Sequence, residues 1–251
     1  MRFPHSISTD HLPLCLTVCL LLSVSGCNLF GDDEPEPTPT GPEVSLSYDF
    51  EASNEGWTGG FSDYPQGEEV AYELSFGHDF LPDEMGIEDR GMRISGSNRS
   101  DDLFMFFKRQ VFELEPNTEY EVEFELQIAS QYPANAPGIG GSPGSSVYLK
   151  AGVVTTEPKA IQGNLGYPAM VMNIDKGNQS IDGVDMQILG DIGIPGDDYV
   201  YTLIDRTNLD QRFSFQTDDT GTAWLIIGTD SGYEGSTNIY YNQISVKFFL
   251  P

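Results

Sequence analysis

The segment Glu119–Ile128, EYEVEFELQI, alternates acidic or polar and apolar residues at a strict period of two. This period places every second side chain on the same side of an extended strand, so the segment predicts a β-strand with one buried face. The side chains expected in the core are Tyr120, Val122, Phe124, Leu126 and Ile128. The intervening glutamates then form a solvated face rather than a catalytic row. They are Glu119, Glu121, Glu123 and Glu125.

Further strand patterns follow one another from Val44 to the end of the chain. Runs of aromatic and β-branched residues lie between turn residues, and the chain contains 27 Gly and 16 Pro. No segment shows a sustained helical period with capping residues. The predicted strands are Val44–Glu51, Glu69–Phe76, Gly91–Ser95, Asp102–Phe112, Glu119–Ala129, Ser146–Val154, Ala169–Ile174, Gly183–Leu189, Tyr199–Asp205, Arg212–Thr217, Thr222–Gly228 and Asn238–Phe249. This pattern predicts an all-β fold, a two-sheet antiparallel β-sandwich (jelly roll).

One predicted strand, Thr222–Gly228, is apolar at both parities. Its sequence is TAWLIIG, which is typical of a strand that is covered on both faces. We therefore expect Trp224 in the core rather than on a platform for a ligand.

The amino-terminal region predicts export. Residues 12–24, LPLCLTVCLLLSV, form an apolar run that is short for a membrane span, and VSGC follows it up to Cys27. This ending resembles a bacterial lipobox, which implies a signal peptide over residues 1–26 and a lipid on Cys27. Because Cys15 and Cys19 lie inside the signal, the mature chain is expected to have no free thiol and no disulfide.

The segment that follows the expected lipid site predicts an extended tether. Residues 27–43 are rich in proline and acid and lack any hydrophobic period. Their early DDE resembles export signals that place lipoproteins on the outer surface of some Gram-negative bacteria. The expected location is therefore the bacterial cell envelope, at the outer membrane, with contact to the membrane through the lipid anchor only.

The charge of the chain excludes one class of partner. The 12 basic and 39 acidic residues give a net charge of −27. A surface with this excess of carboxylates repels the phosphates of DNA and RNA, so we expect no nucleic-acid partner.

Residues 44–251 read as one domain with a long irregular insertion near residues 130–198. The insertion contains YPANAPGIGGSPGSS, a loop that is rich in glycine and proline. Loops of this length in a compact domain are usually functional or mobile.

Several segments of this domain resemble a known family in the same order. They are YDFEASNEGWTGG, VFELEPNTEYEVEFELQIA, RFSFQTDDTGTAWLIIG and NIYYNQISVKF. Their order resembles the carbohydrate-binding jelly rolls of the galactose-binding-like superfamily, particularly the group around families 4 and 9. The resemblance covers Tyr48–Phe248 apart from residues 130–198, and it implies the fold more strongly than the function.

Carbohydrate binding requires aromatic platforms and a few polar groups, because the CH groups of sugar rings stack on aromatic faces. The candidate ligand-binding residues are aromatic side chains in predicted loops. They are Trp57, Tyr64, Tyr132, Tyr167 and Tyr233. Tyr132 and Tyr233 lie in polar loops and are expected to be the more exposed. For Trp57, core packing and sugar stacking are equally compatible with the sequence.

The resemblance also implies a structural calcium ion, held between the first and last strands. Glu51 matches the first ligand position, and Asn242 stands where the family has Asp. A second candidate calcium loop is NIDKGNQSIDGVD, whose oxygen-bearing side chains include Asp175, Asn178 and Asp182. The spacing of this loop departs from the EF-hand pattern, and a polar hairpin loop is the favoured explanation. Hydrogen bonding of a polar ligand by Asp175, Lys176 and Asn178 is a further alternative.

Catalysis has little support in the sequence. His78 is the one histidine beyond the predicted signal, and no G-x-S-x-G motif is present. The leading hypothesis is a cell-envelope lipoprotein that binds a polysaccharide or glycan without catalysis. The alternative is a structural or adhesive envelope protein with a protein partner, and a polysaccharide hydrolase or lyase is the third hypothesis.

Overall fold

The computed structural model describes residues 42–99 and 102–251, where it places fifteen β-strands. In chain order they are β1 (Val44–Tyr48), β2 (Thr58–Ser62), β3 (Tyr64–Pro65), β4 (Ser75–Phe80), β5 (Arg90–Ser97), β6 (Phe104–Val111), β7 (Glu119–Ser130), β8 (Val147–Val154), β9 (Ala160–Asn164), β10 (Pro168–Met172), β11 (Gln187–Asp191), β12 (Thr202–Thr207), β13 (Phe213–Gln216), β14 (Ala223–Ser231) and β15 (Ser236–Phe249). The helical structure of these residues is a 3-10 helix at Asp83–Met85. None of it has the length and hydropathy of a bilayer-spanning segment.

The strands form three antiparallel sheets. Sheet A has seven strands in the order β12-β7-β15-β5-β4, with β1 paired to β15 and β13 paired to β7. Sheet B has five strands in the order β11-β8-β14-β6-β2, and sheet C has three in the order β3-β10-β9. The predicted all-β antiparallel sandwich is thereby confirmed. The predicted signal peptide, the lipid site at Cys27 and nearly all of the tether lie outside the described residues.

The core lies between the inner faces of sheets A and B. Sheet A contributes the apolar side chains of β7 that were predicted from the alternation, and all five are buried. Sheet B contributes inward side chains that include Phe107 of β6 and Leu225 and Ile227 of β14. The rings of Phe107 and Tyr241 meet edge to face across this core, with centroids 5.6 Å apart.

The predicted strands Glu69–Phe76 and Gly183–Leu189 begin too early, since the latter starts at Gln187, and three strands were missed. Residues 69–74 form turns rather than a strand, and β4 begins only at Ser75. The strands β2, β3 and β9 were missed because two of them contain glycine and the third is two residues long. In β2, Gly60 lies against the ring of Phe106, where an added Cβ would come within 2.4 Å of that ring. The weak strand signal of β2 thus has a packing cause.

The expected insertion, residues 130–198, is more regular than its sequence indicates. It supplies β8 and β11 to sheet B and also contains β9 and β10 of sheet C. Sheet C and the loop after it then lie on the outer face of sheet B, which determines where a ligand could reach that sheet.

Candidate functional site

The outer face of sheet B changes from buried to open along β14. The outward residues of this strand run from Asp230 through Gly228 and Ile226 to Trp224. Asp230 and Ile226 are fully buried, whereas Trp224 is partly exposed. The expectation that this strand is covered along both of its faces is therefore wrong at Trp224.

The neighbouring strand β6 changes at the same level. Its outward residues Phe104 and Phe106 are buried, while Lys108 and Gln110 are partly exposed. Gln110 is paired with Trp224 across the two strands. The two strands together define one open end of the sheet, whose most prominent side chain is an indole.

The rest of this outer face is covered by residues 157–186, which we call the cover. They comprise β9, β10 and the loop that follows, and their apolar side chains pack on the outward side chains of β6 and β14. The residues of this cluster are Phe104, Phe106, Met172, Ile174, Met186 and Ile226. The backbone of the cover also lies directly on β8, because a Cβ added at Gly152 would come within 1.9 Å of the Asp185 carbonyl oxygen.

A buried charge cluster, Asp63, Lys150, Lys176 and Asp230, lies beneath the cover. Asp230 Oδ2 accepts hydrogen bonds from Lys150 Nζ at 3.1 Å and from Lys176 Nζ at 2.9 Å. It also accepts one from the backbone N–H of Gln179 at 2.8 Å. Lys176 Nζ lies 3.1 Å from Asp63 Oδ2 as well. One carboxylate of the sheet therefore holds two lysines and the loop of the cover.

The two lysines of this cluster have different environments. Burial lowers the pKa of Lys150 although Asp230 opposes the shift. Its ammonium nevertheless has three acceptors, because it also donates to the carbonyls of Lys176 at 2.9 Å and Ile181 at 3.0 Å. Burial acts against Lys176 too, but Asp230 and Asp63 outweigh it and raise the pKa of Lys176. The cluster has a structural role, since its ammonium groups are occupied in joining the cover to the sheet.

The open end of the face contains a groove of about 520 Å³, termed the Trp224 groove. It is lined by Glu55, Gly56, Thr58, Lys108, Arg109, Gln110, Phe112, Glu157 and Trp224. The Lys108 ammonium lies 5.4 Å from the centroid of the Trp224 ring. The same ammonium donates to Glu157 Oε1 at 2.6 Å and to the carbonyl of Pro158 at 2.7 Å. The indole thus has polar groups fixed around it.

The side of this groove next to β2 leaves part of β6 unpaired. The pairing of β2 with β6 ends at Thr58 and Lys108, so residues 109–111 of β6 have no strand on that side among the described residues. Phe112 follows directly, and its side chain is 65% exposed. The groove therefore combines two aromatic rings with polar side chains and a stretch of β6 that has no strand partner on one side.

Two of the predicted aromatic ligands are core residues. Trp57 is fully buried and meets the ring of Tyr48 edge to face, with centroids 5.4 Å apart. Tyr64 is buried as well, and its ring lies 5.8 Å from that of Tyr72. Neither residue offers a free ring face, so the prediction that they stack on a sugar is wrong.

The remaining three candidates differ from one another. Tyr132 was expected to be exposed, but it is buried, and its hydroxyl donates to the carbonyl of Ser236 and accepts from the N–H of Asn238 at 2.8 Å. Tyr233 is partly buried, packed against the core. Tyr167 is 37% exposed and lies in the turn between β9 and β10 of the cover. The structure does not bring these tyrosines into the Trp224 groove.

The predicted calcium ligands of the first and last strands are in different environments. Asn242 lies at a bulge of β15, is 4% exposed and donates from Nδ2 to Gln127 Oε1 at 2.8 Å. Its Oδ1 is buried without a hydrogen-bond partner among the described residues. Glu51 is exposed in the turn after β1. The carbonyl of the preceding Phe50 lies 2.6 Å from His78 Nε2.

The second candidate loop uses its oxygens to hold its own backbone. Asp175 accepts from the N–H groups of Gly177 at 3.0 Å and Val184 at 3.2 Å. Asp182 Oδ1 accepts from the N–H of Ile188 at 2.7 Å. Asn178 exchanges backbone hydrogen bonds with Ile181. Across residues 42–99 and 102–251, no group of three or more Asp, Glu, His or Cys side chains is placed to hold a metal ion.

The glutamates of β7 lie on the outer face of sheet A, as predicted, but one of them is not solvated. Glu123 is 4% exposed, because Lys247 Nζ and Arg212 Nη2 each lie 3.1 Å from its carboxylate. Lys247 also pairs with Glu125 at 3.0 Å. Burial alone would raise the pKa of Glu123, but hydrogen bonds from Lys247 and Arg212 outweigh it and lower that pKa. Glu123 and Glu125 therefore form a small ion-pair network with Arg212 and Lys247 on the outer face of the strand.

Sequence reasoning missed the residues of the Trp224 groove. Their signal is a change in the outward row of β6, from Phe104 and Phe106 to Lys108 and Gln110. Once the strand is assigned, that change marks where a covering element must end. This change could not be recognised from the sequence alone, because the apolar half of the row has the pattern of an ordinary core strand.

No family model matches the sequence, and a search of curated proteins gave no match. Solved structures do match. The CBM22-1 xylan-binding domain of Xyn10C from Paenibacillus barcinonensis is 11% identical, with 82% of this chain and 94% of that chain covered at a TM-score of 0.38. The carbohydrate-binding module TmCBM27, described for specific mannan recognition, is 13% identical, with coverages of 81% and 98% at a TM-score of 0.36.

A third matching structure is an adhesin rather than a named carbohydrate-binding module. It is the K1 cleaved adhesin domain of Lys-gingipain from Porphyromonas gingivalis W83, which is 9% identical, with coverages of 81% and 98% at a TM-score of 0.38. Likenesses at this level carry no conclusion about the ligand. The function is therefore argued from the side chains of the groove.

Proposed function

We propose that this protein is a non-catalytic carbohydrate-binding protein and that the Trp224 groove is its binding site. The observation that carries the proposal is the partly exposed indole of Trp224 at the open end of sheet B, beside the exposed ring of Phe112. The CH-bearing face of a sugar ring stacks on such rings, and planar polar groups at the rim bind its hydroxyls. Gln110 and Glu157 supply polar groups of this kind.

The carboxylates of the groove are poorly placed for acid–base catalysis. Glu157 is paired with the ammonium of Lys108 at 2.6 Å. Glu55 Oε1 accepts from the N–H groups of Asp49 at 3.1 Å and Phe50 at 3.2 Å. Glycoside hydrolysis needs one carboxyl group as a proton donor and another as a base or nucleophile. Because the hydrogen bond from Lys108 lowers the pKa of Glu157, this carboxyl group is unsuited to donate a proton, and binding without turnover is the proposal that fits the groove.

The test is retention of the purified protein on a panel of soluble and insoluble polysaccharides. Trp224→Ala should weaken retention on the preferred polysaccharide at least tenfold, about 1.4 kcal/mol. Tyr167→Ala removes an exposed ring of the cover and serves as the matched control that should change nothing. Equal retention of the Trp224 variant, or loss in the Tyr167 variant alone, would contradict the assignment to this groove.

The envelope location is proposed on the sequence alone. The lipobox-like VSGC and the acidic segment after it support a lipid-anchored protein of the outer membrane. Intact-mass measurement of the protein from membranes, beside a Cys27→Ser variant, tests it. A mature chain that begins at Cys27 with added acyl mass is expected, and an unmodified Cys27 would contradict it.

We also propose the structural calcium ion that the family resemblance implies, with Glu51 and Asn242 as its side-chain ligands. The buried Oδ1 of Asn242 without a hydrogen-bond partner supports this, because amide oxygens are accepted calcium ligands. Glu51 lies in the exposed turn after β1, and its carboxylate is the second proposed ligand. Thermal unfolding with calcium and with chelator should differ for the wild type and coincide for Asn242→Ala. Identical unfolding curves for the wild type in both buffers would contradict the proposal that a calcium ion is bound.

A further inference from the structure

The cover limits how a glycan could lie on sheet B. If this face were fully open, a polysaccharide could lie along the sheet and be bound through sugars in the middle of its chain. Here Ile226, one outward position from Trp224 on β14, is already fully buried under the cover. A chain that stacks on Trp224 cannot continue along the strands in that direction, because the side chains of the cover fill the path.

The wall between the groove and the cover is held by several hydrogen bonds. Lys108 Nζ binds both Glu157 and the carbonyl of Pro158, at the start of the cover. Asn173 Nδ2 donates to the carbonyl of Glu157 at 2.9 Å, and Asn173 Oδ1 accepts from the N–H of Lys159 at 2.8 Å. Lys108 thus ties the sheet to the start of the cover, and Asn173 ties that start to the rest of the cover, so the wall is a fixed boundary rather than a loose loop.

The side of the groove next to β2 is bounded as well. Glu55 and Gly56 form its rim, and Glu55 is fixed by hydrogen bonds from the backbone N–H groups of Asp49 and Phe50. An Arg109 nitrogen lies 3.2 Å from the position that a Cβ on Gly56 would take. The described residues leave the groove open on the side of Phe112, which is exposed.

The charges that line the groove cancel one another. Two cations, Lys108 and Arg109, are matched by two carboxylates, Glu55 and Glu157. The chain as a whole has a net charge of −27, which repels anionic polysaccharides at long range. A neutral sugar is therefore the chemistry that fits this site.

We infer that the Trp224 groove recognises the end of a neutral glycan chain, or a short neutral oligosaccharide, rather than the interior of a long chain. This inference rests on the proposed function of the same groove. The bound end occupies the space between the Lys108–Glu157 wall and the Glu55 rim, and the rest of the chain leaves past Phe112. A groove that ends at a wall gains nothing from sugars beyond the last one that it contacts.

The first test varies the number of chain ends at constant mass of polysaccharide. The polysaccharide that the protein retains is used intact and after limited endo-hydrolysis, and the amount of protein bound is measured on both. Binding capacity should rise in proportion to the chain ends. A capacity that stays constant or falls would overturn the inference.

The second test is calorimetric titration with neutral oligosaccharides of increasing length from the same polysaccharide. The affinity should level off, within about twofold, once the groove is filled; an affinity that keeps rising tenfold or more would overturn the inference. Trp224→Ala is run beside the wild type to separate the two claims. If binding depends on Trp224 but the affinity keeps rising with oligosaccharide length, only the inference of chain-end recognition is contradicted. Retention that does not depend on Trp224, or no retention on any glycan, removes the proposed function as well.

Discussion

The two halves of the outer face of sheet B share strands and yet differ in every property that matters for binding. Under the cover, Asp230 and Lys150 are fully buried and hydrogen-bonded to each other and to the cover. At the open end, Trp224 and Gln110 lie partly exposed beside a groove of about 520 Å³. The difference arises from one insertion, so the insertion determines which part of an otherwise continuous face can meet a ligand.

The largest expected effect on stability comes from removing the shared carboxylate of the buried charge cluster under the cover. Asp230→Ala leaves Lys150 and Lys176 without their shared carboxylate in a buried site. We expect a loss of about 3–5 kcal/mol in the free energy of unfolding, because an uncompensated buried charge is costly. Denaturant unfolding measures it, with the exposed Asp219→Ala as the control for the loss of one acid. Equal stabilities of the two variants would contradict the role of Asp230.

The second effect sharpens the contrast between covered and open charge on sheet A. Glu123 is covered by Arg212 and Lys247, whereas Glu119 of the same strand is exposed. Glu123→Gln should cost about 1.5–3 kcal/mol at neutral pH, since it removes charge-assisted hydrogen bonds. Glu119→Gln is the matched control and should cost little.

The pH dependence of Glu123 has a definite sign. Because the folded-state pKa of Glu123 lies below its ordinary value of 4.5, its stabilising contribution is present above 4.5. That contribution is lost as the pH falls through the folded-state pKa. Denaturant unfolding between neutral and acid pH should show a flatter decline for Glu123→Gln than for the wild type. Parallel curves would contradict this assignment.

The third effect concerns the contact between the backbone of the cover and β8. Gly152→Ala places a Cβ within 1.9 Å of the Asp185 carbonyl oxygen, so the backbone of the cover must move. We expect a loss of about 1–3 kcal/mol and faster proteolysis within residues 157–186. Gly166→Ala is the control without a steric clash, since nothing lies within 4 Å of its added Cβ, although its positive φ carries some strain. Unchanged proteolysis of the Gly152 variant would show that the cover is not seated there.

The smallest effect on stability belongs to the open half. Phe112 is 65% exposed, so Phe112→Ala should change the free energy of unfolding by about 0.5 kcal/mol or less. The same change should weaken glycan retention several-fold, because it removes the second ring of the groove. Retention at the wild-type level would restrict the site to Trp224.

Much of the fold was readable from the sequence, because alternation reports directly on which side of a strand is buried. All five apolar positions of β7 were placed correctly in this way. The alternation could not show that Arg212 and Lys247 would cover Glu123, since Lys247 comes from β15 and Arg212 lies just before β13. Strand β2 was missed because its glycines are required by neighbouring rings, Gly59 by Phe76 and Gly60 by Phe106, and not by strand propensity.

The site was harder to predict than the fold because exposure depends on what lies over a strand. Tyr132 has the sequence surroundings of a loop residue, yet its hydroxyl is engaged by Ser236 and Asn238 of β15. Trp224 has the sequence neighbours of a core residue, yet the cover ends at Ile226, the adjacent outward residue of β14. In both cases a contact between distant segments decides the outcome, and local pattern carries no information about it.

The chain contains two tryptophans, and they give the most direct test of the central claim. Trp57 is fully buried in the core, while Trp224 is partly exposed in the proposed site. Nitrogen-15 NMR resolves the two indole N–H signals, and a Trp224→Phe variant assigns them. On titration with an oligosaccharide from the retained polysaccharide, the account predicts that the Trp224 signal moves and the Trp57 signal does not. Saturating binding that leaves the Trp224 signal in place would contradict it.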